Sequence, residues 1–152
     1  MNLDNIDRNI LRHLQQNNRI TNQQLAEQVG LSAPACLKRV RLLREQGVIA
    51  QDVSILDPKL AGLGITMIVE VEMERERIDL NQSFANRMRE APEVTQSYQV
   101  TGDVDFVLIV TVPDMEAFKD FVERVLYTDP NMRKFRTLIS MDRQKFTTTL
   151  PI

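Results

Sequence analysis

The sequence predicts an α+β protein of two modules. A helix-turn-helix occupies residues 1–50, an extended connector covers 51–64, and a ferredoxin-like βαββαβ module fills 65–152. Three observations carry this reading. Apolar residues recur at helical spacing in three short runs before residue 50. Clean alternation of apolar and polar residues begins at Ile65. From there the periods follow the order strand, helix, strand, strand, helix, strand.

The first helix is set by Ile6, Ile10 and Leu14, with Leu11 beside them and Asp4 placed to cap its start. The second opens on Thr21-Asn22-Gln23-Gln24, a capping box, and closes at Gly30 after Leu25, Ala26 and Val29. Ser32 is a natural cap for the third, whose first turn tolerates Pro34 because no helical N–H is needed there. Cys36, Val40 and Leu43 form its apolar stripe, and Gly47 ends it. The connector lacks the Gly/Ser content of a flexible linker and alternates loosely through Val48, Ala50, Val53 and Ile55.

In the rear module, Ile65, Met67, Val69, Val71 and Met73 alternate with Thr66, Glu70, Glu72 and Glu74, the pattern of a strand with one covered face. Leu80, Phe84 and Met88 mark a helix that Pro92 ends. Strands over 94–100 and 104–112 meet at Gly102-Asp103. Asp114 caps a second helix with Met115, Phe118, Val122 and Val125 expected inward, and Phe135, Ile139 and Met141 mark the last strand. Val107 and Ile109 leave the second face of the sheet apolar as well, so a partner is expected to cover it, most economically a second copy of the chain.

Composition excludes several classes. One cysteine, Cys36, permits no internal disulfide, and with a single histidine, His13, it cannot make a common structural zinc site. No apolar run approaches the ~18 residues of a membrane helix. The polar start MNLDNIDRN is unlike a signal peptide, so a cytoplasmic location and no membrane partner are expected. The net charge of −2 hides an asymmetry: residues 1–50 carry a balance of +3 and the remainder −5. A basic front and an acidic rear suggest different partners for the two modules.

Chemistry concentrates in two places. The third helix begins with small residues, Ser32-Ala33-Pro34-Ala35, followed by Lys38, Arg39 and Arg41. Small residues let a helix approach the floor of a DNA groove, and flanking cations neutralise phosphate. Thr21 and Asn22, at the start of the second helix, join this expected DNA surface. The alternative is a packing unit with a solvated basic face. In the rear module the topology predicts that Tyr98 and Tyr127, the only two tyrosines, meet at one end with Gly102, Asp103 and Asp105. Rings, carboxylates and an open backbone suit a small zwitterion, an amino acid. The alternative is a plain two-residue hairpin turn at Gly102-Asp103. No cofactor, no metal and no catalytic group are expected, since His13 and Cys36 lack visible partners.

Four segments carry a resemblance to one family. LSAPACLKRVRLLREQGVI (31–49) is similar to the recognition helix and following turn of the Lrp/AsnC transcription regulators. Residues 3–21 resemble their opening helix, VTGDVDFVL (100–108) their effector loop, and TTTLPI (147–152) their C-terminal signature. The resemblance implies a winged or plain helix-turn-helix joined to a RAM-type βαββαβ domain. It implies a homo-oligomer, with dimers joined through the sheets into a tetramer or octamer of dimers, and an amino-acid effector bound between dimers near the hairpin loop. Transferred by position, Ser32, Ala33, Pro34, Ala35, Lys38 and Arg39 would face double-stranded DNA, and Tyr98, Thr101, Gly102, Asp103 and Tyr127 would surround the effector. Many family members have proline where Ala35 stands, and Tyr127 is not a family signature. Two further functions remain open on fold alone, an architectural DNA-wrapping protein without effector and a small ferredoxin-like enzyme.

Overall fold

The computed structural model describes residues 2–152. The chain forms two compact units, one made of residues up to Ile55 together with Lys145–Ile152, the other of Leu56–Gln144.

In the first unit three helices pack around Ile10, Leu25, Cys36 and Leu43. Helix α1 (Asn5–Gln16) is capped reciprocally: the Asp7 N–H donates to the Asp4 carboxylate at 2.8 Å and the Asp4 N–H to the Asp7 carboxylate at 3.2 Å. Helix α2 (Asn22–Val29) carries the expected Thr21–Gln24 capping box and ends on Gly30 at φ +71°, a left-handed conformation that glycine adopts without steric cost. Helix α3 (Ala33–Glu45) starts at Ser32, whose hydroxyl accepts the Ala35 N–H. No strand follows it before residue 65.

The sequence reading assigned residues 145–152 to the rear module. They pack instead in the first unit. Arg12 Nε donates to the main-chain oxygen of Ile152 at 2.6 Å, and the Gln15 amide pairs with the main chain of Leu150 in both directions, at 2.6 and 3.2 Å. Ile152 adds its side chain to the helical core. Complementary hydrogen bonding over some 135 residues of chain has no local sequence signal.

In the second unit the elements are β1 (Ile65–Met73), α4 (Ile78–Glu90), β2 (Val94–Gln99), β3 (Phe106–Val112), α5 (Met115–Phe121) and β4 (Met132–Ile139). A π-helical segment, Val122–Leu126, continues α5. The sheet order is β2-β3-β1-β4, antiparallel throughout, as the βαββαβ pattern requires. The pleat puts Met67, Val69 and Val71 on the same face as Phe106, Leu108 and Val110, where they meet Phe84, Met88 and Phe121 in one core. Phe84 and Phe106 pack as a tilted pair with ring centroids 4.7 Å apart.

Three local expectations are corrected. Met115, expected inward, is 50% exposed, and Phe121 and Leu126 take the buried positions. The π segment begins only at Val122, so it accounts for Leu126 joining Val122 and Val125 inside, while Met115 stands exposed in the first turn of α5. Ile139 closes the last strand as expected, but Met141 lies beyond it, fully exposed. The β2–β3 connection is a six-residue loop, 100–105, not a two-residue turn, because the paired strands stop at Gln99 and Phe106.

Candidate DNA-binding and effector sites

On α3, Pro34, Leu37, Lys38 and Arg41 follow at i, i+3, i+4 and i+7, and all four are exposed. With Ser32 at the helix start, this is one continuous face with two cations and the positive end of the helix dipole. Ala33 and Ala35 are half-buried beside it. Leu37, 47% exposed, escaped the sequence reading. Its signal was present: it lies outside the Cys36/Val40/Leu43 stripe, so a helix forces it toward solvent.

Two residues expected on the DNA face are engaged elsewhere. Arg39 turns back onto α1, where one guanidinium nitrogen donates to Asp7 at 2.8 Å and to Asp4 at 2.7 Å. Asp4's carboxyl is held below its ordinary value first by the Asp7 N–H and then by Arg39. Arg39 thus ties α3 to α1. Asn22 donates its amide to the Ala33 carbonyl at 2.7 Å, pinning the start of α2 to the start of α3. Thr21 is exposed, but its hydroxyl caps α2. Cys36 is buried, and burial pushes its thiol pKa up, against any role as a nucleophile.

The loop 100–105 borders a cleft of about 400 Å³. One wall is Val100, Thr101 and Gly102. The other is Glu76, Arg77 and the first turn of α4 through Ile78 and Asn81. Gly102 has φ +118°, and a Cβ there would meet no atom within 4 Å, so backbone conformation rather than crowding calls for glycine. Helix α4 has no side-chain cap, and Arg77 before it pairs with Asp79. The Asn81 Oδ1 atom is buried at the cleft without a hydrogen-bond donor. Sequence reasoning missed this α4 wall entirely, since nothing local links residues 76–81 to 100–102.

The aromatic and acidic residues expected around Gly102 are dispersed. Tyr127 packs on Phe135 of β4, ring centroids 5.8 Å apart. The crossover from β3 to β4 passes over β1 to the far edge of the sheet, so it brings Tyr127 to the expected end but the opposite edge. Tyr98 pairs with Val107 on the outer face of the sheet, and its hydroxyl donates to Gln96 at 2.8 Å. Asp103 borders a different hollow on that outer face, with Glu70, Glu72, Lys134 and Arg136. Asp105 lies at the cleft, but its carboxylate accepts the Met73 N–H at 2.6 Å and serves to fasten β1. Thr101 and Gly102 line the cleft.

The outer face itself carries an apolar row, Leu138–Ile68–Ile109, with Val107 alongside. Ion pairs of Glu70 with Arg136, and of Glu72 with Arg133 and Lys134, flank it. Lys134 is the main cause that lowers the Glu72 pKa.

Residues 66–150 match the model of the Lrp/AsnC ligand-binding domain, and residues 3–50 that of a winged helix-turn-helix DNA-binding domain. The chain belongs to the Lrp/AsnC family. Among the relatives of this Lrp/AsnC protein is an HTH-type transcriptional regulator of Sinorhizobium fredii, 47% identical over 100% of this chain and 90% of that one. The leucine-responsive regulatory protein of Escherichia coli K12 is 35% identical over 99% of this chain and 92% of its own. A transcriptional regulator of Neisseria meningitidis, solved as an L-methionine complex, superposes with a TM-score of 0.90 at 34% identity, covering 99% of this chain and 97% of that one. This Lrp/AsnC chain is therefore a DNA-binding transcription regulator with a ligand-binding domain. No helix among its described residues is long and apolar enough to cross a membrane, and no group of three or more potential ligand side chains that could hold a metal occurs among them.

Proposed function

We propose that this regulator, a cytoplasmic homo-oligomer and not an enzyme, senses a free L-amino acid in the cleft between the Gly102 loop and α4. The observation that carries this is the unpaired Asn81 Oδ1 buried opposite an open glycine backbone. An α-ammonium donates to Asn81 Oδ1 and the nearby Glu76 carboxylate, while the α-carboxylate takes main-chain N–H groups of the loop. The L-methionine complex of the Neisseria regulator supports this ligand class. Ser32, Pro34, Leu37, Lys38 and Arg41 present the DNA-reading face. Two such helices reading half-sites ~34 Å apart require a dimer, and the outer sheet face offers the apolar surface for it. The dimers join into a tetramer or octamer of dimers, with the amino acid bound between them. Effector and operator then compete or cooperate through the assembly, with a coupling of about 1–3 kcal/mol that must act equally in both directions.

The test is calorimetry of the twenty amino acids, L-methionine first, on free and operator-bound protein. The expected result is saturable binding whose affinity changes on DNA by the same factor by which the amino acid changes DNA affinity. Absence of binding by all twenty would leave a DNA-wrapping architectural role in place of sensing.

A further inference from the structure

One wall of the cleft is fastened from outside it. Residues 74–77 connect β1 to α4 and supply Glu76 and Arg77 to the site. Among the described residues, their main-chain ties to a distant segment end on one residue, Asn131. The Arg75 N–H donates to Asn131 Oδ1 at 3.2 Å, Asn131 Nδ2 donates to the Arg75 carbonyl at 3.0 Å, and the Glu74 N–H donates to the Asn131 carbonyl at 2.7 Å. The same Arg75 carbonyl accepts the Arg77 N–H at 3.1 Å, which sets the turn by which the chain enters α4.

Asn131 is 5% exposed and is itself held. Its N–H donates to Asp129 at 2.8 Å, and the other oxygen of that carboxylate takes Arg87 of α4 at 2.9 Å. Arg87 also donates to the Val125 carbonyl at 2.5 Å and to the Thr128 hydroxyl. The chain of contacts therefore runs from the turn that leads into α4 back to α4 itself, and its carboxylate, Asp129, is buried while Arg87 stays half-buried; charge-assisted bonds of this kind hold geometry firmly.

We infer that Asn131, backed by Asp129 and Arg87, is a positioning residue for the effector cleft: it orients the 74–77 turn and the start of α4 against the Gly102 loop without touching the ligand. The inference rests on the proposed amino-acid site. An amide side chain that spends both its donor and its acceptor on another segment's main chain replaces a strand neighbour, so its loss frees the turn while the sheet keeps its own ladder.

The test compares wild type, Asn131→Ala and the isosteric Asn131→Asp, which keeps an acceptor for Arg75 N–H but sets oxygen against the Arg75 carbonyl. Phe121→Leu, in the core away from the cleft, is the control for lost stability. The probe is L-methionine, or whichever of the twenty amino acids the wild type binds most tightly. Both Asn131 variants should weaken binding at least tenfold and speed amide exchange at residues 74–77 in the unliganded protein. Ligand-free DNA affinity should stay within twofold. Phe121→Leu should lower Tm yet keep the effector Kd within twofold. Binding by the folded Asn131 variants within twofold of wild type overturns the inference, as does a loss no larger than in Phe121→Leu at equal loss of Tm, or unchanged exchange at 74–77. A wild type that binds no amino acid overturns the inference together with the site on which it rests.

Discussion

Replacing Arg39 by alanine should destabilise the helical unit rather than erase a base contact. The Asp7 side chain is 7% accessible and accepts Arg39 at 2.8 Å, whereas Asp4, its second partner, is half exposed. Removing the guanidinium leaves a buried carboxylate with its charge-assisted bond unmade, a loss of about 1.5–3 kcal/mol. Arg39 is itself 34% accessible, so water enters where it stood and the lower part of that range, about 2 kcal/mol, is expected. For a unit this small that lowers Tm on the order of 10 °C. Thermal and urea unfolding of wild type, Arg39→Ala, Asp7→Asn and the double variant should give a coupling above about 1 kcal/mol. The pH dependence has a definite sign. Asp4's folded pKa is depressed, by Asp7's N–H first and Arg39 second, so its contribution is present above the usual carboxylate range and is lost as pH falls through the folded value. The gap between wild type and Arg39→Ala should therefore be constant near neutrality and narrow below about pH 4. A variant with wild-type Tm and sharply reduced operator affinity would refute this reasoning and return Arg39 to the groove.

Lys38→Ala and Arg41→Ala should leave the unfolding free energy within about 0.5 kcal/mol of wild type. If they meet phosphate, each weakens all DNA sequences alike and lowers the salt slope by about 1, as binding across salt concentrations will read. Gly102→Ala forces a side chain to φ +118°, so about 1 kcal/mol of strain should appear as loop rearrangement, with effector binding reduced and ligand-free DNA binding retained in titrations. Val107→Asp with Ile109→Asp places charge in the apolar row of the outer sheet face and should shift sedimentation toward monomer; an unchanged assembly would place the interface elsewhere.

What was legible in the sequence was local. The capping boxes at Asp4–Asp7 and Thr21–Gln24 and the start at Ser32 act between residues three apart, so helix starts could be read directly. The alternation from Ile65 and the order of periods determined a βαββαβ sheet because a strand's faces are set by a two-residue repeat. Gly102 stood out in the sequence as a break between two strand patterns, and the structure adds the positive φ that calls for glycine there.

What only the tertiary structure decided was which of several available partners each polar side chain took. Arg39 looked free for DNA because its carboxylates lie 35 and 32 residues away on another helix. The first turn of α4 joined the Gly102 loop, and Tyr127 left it, because sheet order assigns an edge to each crossover. Asn131 reached Arg75 across 56 residues, and Leu150 reached Gln15 across 135. Periodicity and caps are written in short-range sterics and hydrogen bonding, so a one-dimensional pattern encodes them. Pairing at long range depends on how whole elements pack, and any of several carboxylates or amides satisfies the same donor until the fold brings one of them within 3 Å.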